Sequence, residues 1–179
     1  WLDSFVKPRW PGPLTVILPK GKRIPDLVTS GHPSVAIRCP QHRLFQAVLD
    51  QTGFPLAAPS ANRFGRISPT TSSAVLAELN GRIPYLLEGG ACTLGVESTI
   101  IRLVFSTTGS WTGIEYLRPG AVGVDEIQAG TSKPVHMQKA VGTTAIQPGQ
   151  LEMHYAPQKK LSLWCRNGPQ LIKNLNPSE

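Results

Sequence analysis

Three short loops in this 179-residue chain combine small polar side chains with glycine or arginine, which are groups that bind anions. They are residues 59–62 (PSAN), 95–99 (GVEST) and 117–120 (LRPG). Hydroxyl and amide groups donate to phosphate oxygens, and glycine lets backbone N–H groups come close to an anion. A guanidinium group grips phosphate as a two-pronged fork. The three loops therefore indicate a site for a phosphate-bearing or polar ligand.

Each loop also has a plain structural interpretation. The first suits a turn that leads into a helix, and the second suits a tight turn with a bulge. Arg118 in the third suits an exposed or ion-paired arginine equally well. The second loop is not a phosphate-binding loop of the G-K-[ST] type, because no such triplet follows it. On the residues alone, the ligand site and the structural turns both stay open.

The composition favours a folded protein with an anionic partner. Hydrophobic residues make up 40% and the net charge is +7, which favours a nucleotide, a polynucleotide or pyrophosphate. The three cysteines show no zinc-ligand spacing with the four histidines and are typical of a reduced, cytosolic protein. No apolar stretch is long enough to cross a membrane and no signal peptide is visible. Because the chain begins at Trp1, an upstream targeting segment stays open.

Apolar patterning predicts an α/β fold in which helices flank a twisted mixed sheet. The predicted strands are residues 14–18, 34–38, 56–58, 85–87, 98–104 and 114–117. Helices are predicted at residues 41–52 and 71–79, the second capped by Ser68 or Thr70. The periodicity stops after Ile127. We therefore predict a first domain at residues 1–127, a linker at 128–160, and the start of a truncated second small α/β domain at 161–179, with a strand at 161–165 and a helix beginning at Gln170.

Five segments occur along the chain in an order that is more specific than any one segment alone. They are WPGPLTVILP (10–19), SVAIRCP (34–40), PLAAPSANRFGRISPT (55–70), GVESTII (95–101) and YLRPGAV (116–122). Together they resemble the YrdC-like family of threonylcarbamoyl-AMP synthases over most of residues 10–127. PGQLEMHYAPQKKL (148–161) resembles the linker of the longer, two-domain branch, although Gln150 stands where methionine is usual.

The resemblance implies a reaction in which L-threonine, bicarbonate and ATP give threonylcarbamoyl-adenylate and pyrophosphate. The product serves threonylcarbamoyladenosine formation beside tRNA anticodons, through a downstream transferase complex. A threonyl carbamate attacks the α-phosphorus of ATP, so the protein supplies position and charge, and we expect no acid, base or nucleophile of its own. Mg²⁺ is expected on the triphosphate, with no metal site built from protein residues.

The motifs carry site residues over to this chain. Arg38 and Arg118 would face the phosphates, and Ser60 and Asn62 would contact the phosphate region of the nucleotide. Ser98 would bind near the threonyl or carbamate group, with Thr99 as its neighbour.

By the same resemblance, the HYAP segment of the linker (residues 154–157) would supply one more ATP contact. Tyr155 would fold back over the site, which would make the linker a lid. The alternative is that His154 and Tyr155 form an ordinary linker anchored by the aromatic ring.

The family's first segment, with its T-E-T-x-Y-G-L and K-x-R motifs, is absent from this chain. Lys7-Pro8-Arg9 has the K-x-R spelling but lies directly against WPGP, where the family motif does not lie, so we interpret it as coincidence. Two lost phosphate contacts of ~1.5–3 kcal/mol each would weaken ATP binding by roughly 10²–10⁴-fold. We therefore expect this chain alone to bind ATP and threonine weakly.

Two alternative functions remain. The net charge of +7 also fits a module that binds RNA, double-stranded RNA included, although only 7% of residues are aromatic and no base-stacking motif is present. A carbamoyl-transfer domain of a hydrogenase-maturation type protein is the other alternative. It predicts zinc-finger cysteines in the parent chain, and the HYAP linker does not favour it.

Overall fold

The computed structural model describes residues 1–137, 163–165 and 168–170. The chain divides into two compact units. The first comprises Trp1–Ala58 with Thr93–Lys139, and the second comprises Pro59–Cys92 with Ala140–Glu179.

The first unit is built on a mixed β-sheet. Its strands are β1 (Leu14–Pro19), β2 (Ser34–Arg38), β3 (Thr99–Phe105), β4 (Trp111–Arg118) and β5 (Val135–Met137). The strand order is β2-β1-β3-β4-β5. β1 is antiparallel to β2 and parallel to β3, while β4 is antiparallel to β3 and parallel to β5. This architecture confirms the predicted α/β fold with a mixed sheet.

The alternation of side chains along the strands builds a core on each face of the sheet. Leu14 and Val16 of β1 belong to the larger core cluster. Ile17 lies on the opposite face with Ile100 and Leu117. A strand that is buried on both faces reads as a continuous apolar run, which is why LTVIL predicts β1 so well.

The N-terminal residues close the larger core. Two helical turns, Leu2–Val6 and Lys7–Arg9, place Phe5 among the buried residues. The indole nitrogen of Trp1 donates to the Gly130 carbonyl at 2.9 Å. A Cβ atom on Gly130 would lie 2.1 Å from a ring carbon of Phe5, so the absence of a side chain there lets the aromatic ring pack.

The described residues also form four α-helices. The first unit contains α1 (Asp26–Thr29), α2 (Arg43–Thr52) and α4 (Val124–Ala129), and the second contains α3 (Ser72–Leu79). The α3 helix is capped by Thr71, whose hydroxyl accepts from the Ala74 N–H, and neither Ser68 nor Thr70 is the cap. In the second unit β6 (Leu163–Cys165) pairs antiparallel with β7 (Gly168–Gln170).

Two predicted strands do not form. Residues 56–58 and 85–87 are extended or irregular without strand pairing. Both runs are three residues long, and Leu87 is 66% exposed. A short apolar run forms a strand only when a partner strand pairs with it and buries it. Neither run has a partner strand among the described residues.

The predicted linker begins too early at residue 128. The α4 helix continues to Ala129, and β5 adds residues 135–137 to the sheet beside β4. A three-residue strand is too short to show periodicity, so the sequence pattern missed it. Gln170 ends a strand where we predicted the start of a helix, and residues 171–175 lie outside the described residues.

None of the helices in the described part of the chain combines the length and the apolar character needed to cross a membrane.

Candidate active site

One row of paired residues crosses four strands of the sheet in the first unit. It includes Arg118 of the LRPG loop and lies next to the end of the GVEST loop. Arg38 on β2 lies opposite Thr15 on β1, and Thr15 lies beside Ile100 on β3. Ile100 in turn lies opposite Arg118 on β4. Residues paired in this way project from the same face of a sheet. The two arginines are three strand spacings apart, about 14 Å between Cα atoms, and frame one stretch of that face.

A bulge in β4 sets the position of Arg118. The pairing of β3 with β4 shifts between Ile100 and Ile101, so Leu117 is an extra residue on β4. In a ladder without the bulge, Leu117 would lie opposite Ile100 and Arg118 opposite Thr99, so the Arg118 side chain would project from the other face of the sheet. Bulges re-aim side chains in this way next to functional sites.

The Arg118 guanidinium group contacts the second loop directly. Its Nε and Nη2 atoms donate to the Ser98 carbonyl at 3.0 and 2.8 Å, and Nη2 also donates to Ser98 Oγ at 2.9 Å. The same nitrogen lies 3.5 Å from a carboxylate oxygen of Glu97. The ion-paired alternative for Arg118 therefore holds in this structure, and its contact with phosphate stays a prediction.

Ser98 is buried at the end of β3. Only 5% of its surface is exposed. Its hydroxyl lies 2.8 Å from the hydroxyl of Thr15, in addition to the contact from Arg118. The predicted threonyl-binding serine is thus held by two side chains from the strands on either side of it.

Thr99 joins the end of the GVEST loop to Val122, which follows the LRPG loop by two residues. Its hydroxyl donates to the Val122 carbonyl at 2.8 Å and accepts from the Val122 N–H at 2.9 Å. The Tyr116 hydroxyl donates to the same carbonyl at 3.2 Å. Thr99 is fully buried, so a ligand contact by its hydroxyl would have to replace these bonds. Its role in binding threonine stays a prediction.

Gly120 allows the third loop to lie against the second. A Cβ atom there would be 2.3 Å from the Thr99 nitrogen and 2.5 Å from the Glu97 carbonyl oxygen. Both are backbone atoms, which cannot swing away as a side chain can. Glycine at this position is therefore a condition for the LRPG and GVEST loops to meet.

Arg38 is exposed at the end of the edge strand. Its side chain makes no hydrogen bond or ion pair with another residue of the described part of the chain, although Thr15 beside it does. An exposed arginine in the same row as Arg118 is suitably placed to meet a polyanion. The assignment of Arg38 to phosphate stays a prediction.

The PSAN loop belongs to the second unit. Ser60 is exposed. The Asn62 amide nitrogen donates to the carbonyls of Arg63 and Arg66 at 2.9 and 3.1 Å, which is the turn alternative. The Asn62 side-chain oxygen is buried and has no hydrogen-bond partner among the described residues. Buried acceptors normally have a partner, so this oxygen is an exception, and the contacts of Ser60 and Asn62 with a nucleotide stay predictions.

A pocket of about 360 Å³ lies next to this loop in the second unit. Its wall includes Ala61, the first turn of α3 and residues 88–90. The Glu88 carboxylate accepts from the Gly90 N–H at 2.6 Å. Hydrogen bonds from the Ser72 hydroxyl and then the Gly90 N–H lower the pKa of Glu88.

Arg9 of the K-P-R triplet has a packing role in the first unit. Its Nε atom donates to a Glu126 carboxylate oxygen at 2.9 Å. The guanidinium carbon lies 3.7 Å from the centre of the Phe5 ring.

Tyr155 and His154 lie outside the described residues, so both interpretations of the HYAP segment stay predictions.

Sequence reasoning missed Thr15 and Val122. Thr15 looks like an ordinary β-branched strand residue within LTVIL, and Val122 contributes only backbone atoms. The one available signal was a hydroxyl inside an otherwise apolar run that is buried on both faces. A buried hydroxyl needs a partner, and that requirement points to a neighbouring loop.

Comparison with known proteins assigns this arrangement to a family. The family model named for Sua5, YciO and YrdC, described as telomere recombination, matches residues 2–120. The chain belongs to the Sua5/YciO/YrdC family. The matched residues include the row from Arg38 to Arg118 and both loops of the first unit.

Relatives of known name extend the match. A threonylcarbamoyl-AMP synthase of Bacillus subtilis is 38% identical over 176 residues, covering 96% of this chain and 49% of the relative. The synthase of Pyrococcus abyssi is 36% identical over 89% of this chain and 46% of the relative. The Schizosaccharomyces pombe synthase is 37% identical over 89% and 41% respectively. The chain thus spans about half the length of the curated relatives it matches.

A solved structure from the same family has the same fold. Pyrococcus abyssi Sua5 in complex with L-threonine matches with a TM-score of 0.77 at 35% identity, covering 87% of this chain and 45% of the other. The family therefore includes a protein that binds L-threonine.

Replacing Gly120 by alanine should break the contact between the two loops of the first unit. The new methyl group would lie within 2.7 Å of three backbone atoms of residues 97–99, so the loops must separate. We expect the free energy of unfolding to fall by about 1–3 kcal/mol in urea denaturation. Gly123→Ala is the control, because nothing lies within 4 Å of a Cβ atom there, and the loss of the glycine cap of α4 costs less than about 1 kcal/mol. Equal stability of the two variants would contradict the close approach.

The pKa of Glu88 should be measurably low in the second unit. A carboxyl group with a lowered pKa stabilises its loop above the ordinary value of 4.5, and this stabilisation is lost as the pH falls through the lowered value. Titration followed by NMR should show the Gly90 amide signal moving below pH 4.5, and Ser72→Ala should move that midpoint upwards. Glu88→Gln should remove the titration. A midpoint at the ordinary value in the wild-type chain would contradict the hydrogen bonds.

Proposed function

We propose that this chain carries the catalytic domain of a threonylcarbamoyl-AMP synthase. The reaction joins L-threonine, bicarbonate and ATP into threonylcarbamoyl-adenylate and pyrophosphate. The observation that carries the proposal is the row from Arg38 through Thr15 to Arg118, with Ser98 held at its end. Relatives that bear the synthase name, at 36–38% identity, support the same activity.

The proposed chemistry needs charge and position more than proton transfer. The threonine amine first combines with the carbon of bicarbonate, and water leaves to give a carbamate. A carbamate oxygen then attacks the α-phosphorus of ATP, and the bond to the β-phosphate breaks to release pyrophosphate. Two anions must meet in this step, so guanidinium groups such as those of Arg38 and Arg118 would offset their repulsion.

Each remaining group has a proposed place in this reaction. Ser98 would donate to the threonyl or carbamate portion, while Ser60 and Asn62 would contact the phosphate region of ATP. Tyr155 would cover the nucleotide. Mg²⁺ would enter as its complex with ATP, because triphosphate oxygens are the hard ligands it prefers. We assign it no protein ligand.

The proposed cellular setting follows from the product. The adenylate would pass to a downstream transferase complex that modifies tRNA, and the chain would act in the cytoplasm. The net charge of +7 also supports weak, salt-sensitive binding of double-stranded RNA as a separate property. Such binding is not part of the proposed reaction.

The test is pyrophosphate release from MgATP with and without L-threonine and bicarbonate. Because we expect this chain alone to bind weakly, a second protein should carry a segment with the family's T-E-T-x-Y-G-L and K-x-R motifs fused before Trp1. The expected result is release that requires all three substrates, with the fused protein faster than the chain alone. The Bacillus subtilis relative serves as the positive control.

Two results would contradict the proposal. One is release that does not depend on threonine or on bicarbonate. The other is no release by either protein while the control relative is active in the same assay. In both cases the family membership would stand and the activity would not.

A further inference from the structure

Thr15 is a buried hydroxyl inside an apolar strand. It is 8% exposed, and its neighbours Leu14, Val16 and Ile17 are all buried hydrophobic residues. A buried hydroxyl without a partner is costly, so its partner is informative. In this structure the partner is the hydroxyl of Ser98, at 2.8 Å.

Either hydroxyl could be the donor in this hydrogen bond, and counting donors and acceptors shows what each direction leaves for a ligand. A serine hydroxyl has one proton and two lone pairs, whereas a guanidinium group can only donate. Arg118 Nη2 therefore occupies one lone pair of Ser98 Oγ. The other lone pair and the proton remain for Thr15 and for a ligand.

We propose that Thr15 is a positioning residue that donates to Ser98 and so turns the Ser98 proton towards an oxygen of the threonyl ligand. This inference rests on the proposed function. With Thr15 and Arg118 both donating, both lone pairs of Ser98 are filled. Ser98 then acts only as a donor, which suits a carboxylate or carbamate oxygen and rejects an ammonium group.

The position of Thr15 in the sheet fits this role. It lies in one row with Arg38 on one side and Ile100 on the other, and Arg118 follows next. Its hydroxyl therefore belongs to the face that the two arginines frame. The rigid strand fixes the Thr15 oxygen, and the Thr15 oxygen fixes the Ser98 proton.

The test compares two substitutions at position 15 in the chain that carries the fused family segment, because we expect the chain alone to bind L-threonine weakly. Thr15→Val keeps the branched shape and removes the hydroxyl, while Thr15→Ser keeps the hydroxyl and removes the methyl group. Isothermal titration with L-threonine should show about a tenfold higher Kd for Thr15→Val. Thr15→Ser should stay within about threefold of the wild-type chain, since its donor is intact.

Two controls separate positioning from general damage. The Kd for MgATP should change less than about twofold in Thr15→Val, because a merely structural loss would weaken both ligands. Adding Thr15→Val to Ser98→Ala should not raise the Kd for L-threonine further, since the group that Thr15 orients is already gone.

Three results would overturn the inference. They are unchanged threonine binding in Thr15→Val, equal loss in Thr15→Ser and Thr15→Val, and equal loss of threonine and MgATP. If the wild-type protein with the fused segment binds no L-threonine at millimolar concentration, the proposed function fails together with this inference. The first three results require binding by that protein, so the two kinds of failure are distinguishable.

Discussion

The hydroxyl of Thr99 holds the loop after β4 against the start of β3, and the candidate site depends on that contact. One oxygen atom donates to the Val122 carbonyl and accepts from the Val122 N–H, so it replaces a pair of strand hydrogen bonds between residues 23 positions apart. The loop can approach this closely only because Gly120 has no side chain. With the two segments fixed, Arg118 reaches the carbonyl and hydroxyl of Ser98, and both groups have one defined position. Binding of anions by positioned charges requires this kind of rigidity.

Much of the sheet could be predicted because its central strands are apolar on both faces. The runs LTVIL and STIIRLV predicted β1 and β3 to within one residue at each end. The pairing of Arg38 with Thr15 and of Ile100 with Arg118 could not be predicted, because register depends on partners far apart in sequence. The bulge at Leu117 had no local signal at all, since it contains no glycine. The candidate site residues could therefore be named from motifs, but the row of paired residues across the sheet could not be predicted.

The errors share one physical cause, which is that short elements depend on their neighbours. Residues 56–58 and 85–87 have the composition of strands but no partner strand among the described residues. Val135–Met137 follows the polar and turn-forming residues 130–134 (GTSKP), yet it is a strand because β4 offers it a free edge. Asn62 makes turn hydrogen bonds with its amide nitrogen and leaves its oxygen without a partner among the described residues, so its contact with a ligand stays a prediction.

The most direct measurement of the central contact compares Thr99→Val with Thr99→Ser by urea denaturation and by hydrogen exchange at the Val122 amide. Valine has nearly the same shape as threonine but leaves the buried Val122 N–H without its partner. We expect Thr99→Val to lower the free energy of unfolding by about 1–3 kcal/mol and to speed exchange at the Val122 amide, while Thr99→Ser keeps the protection. Unchanged stability and unchanged exchange in Thr99→Val would show that the hydroxyl does not hold the two loops together.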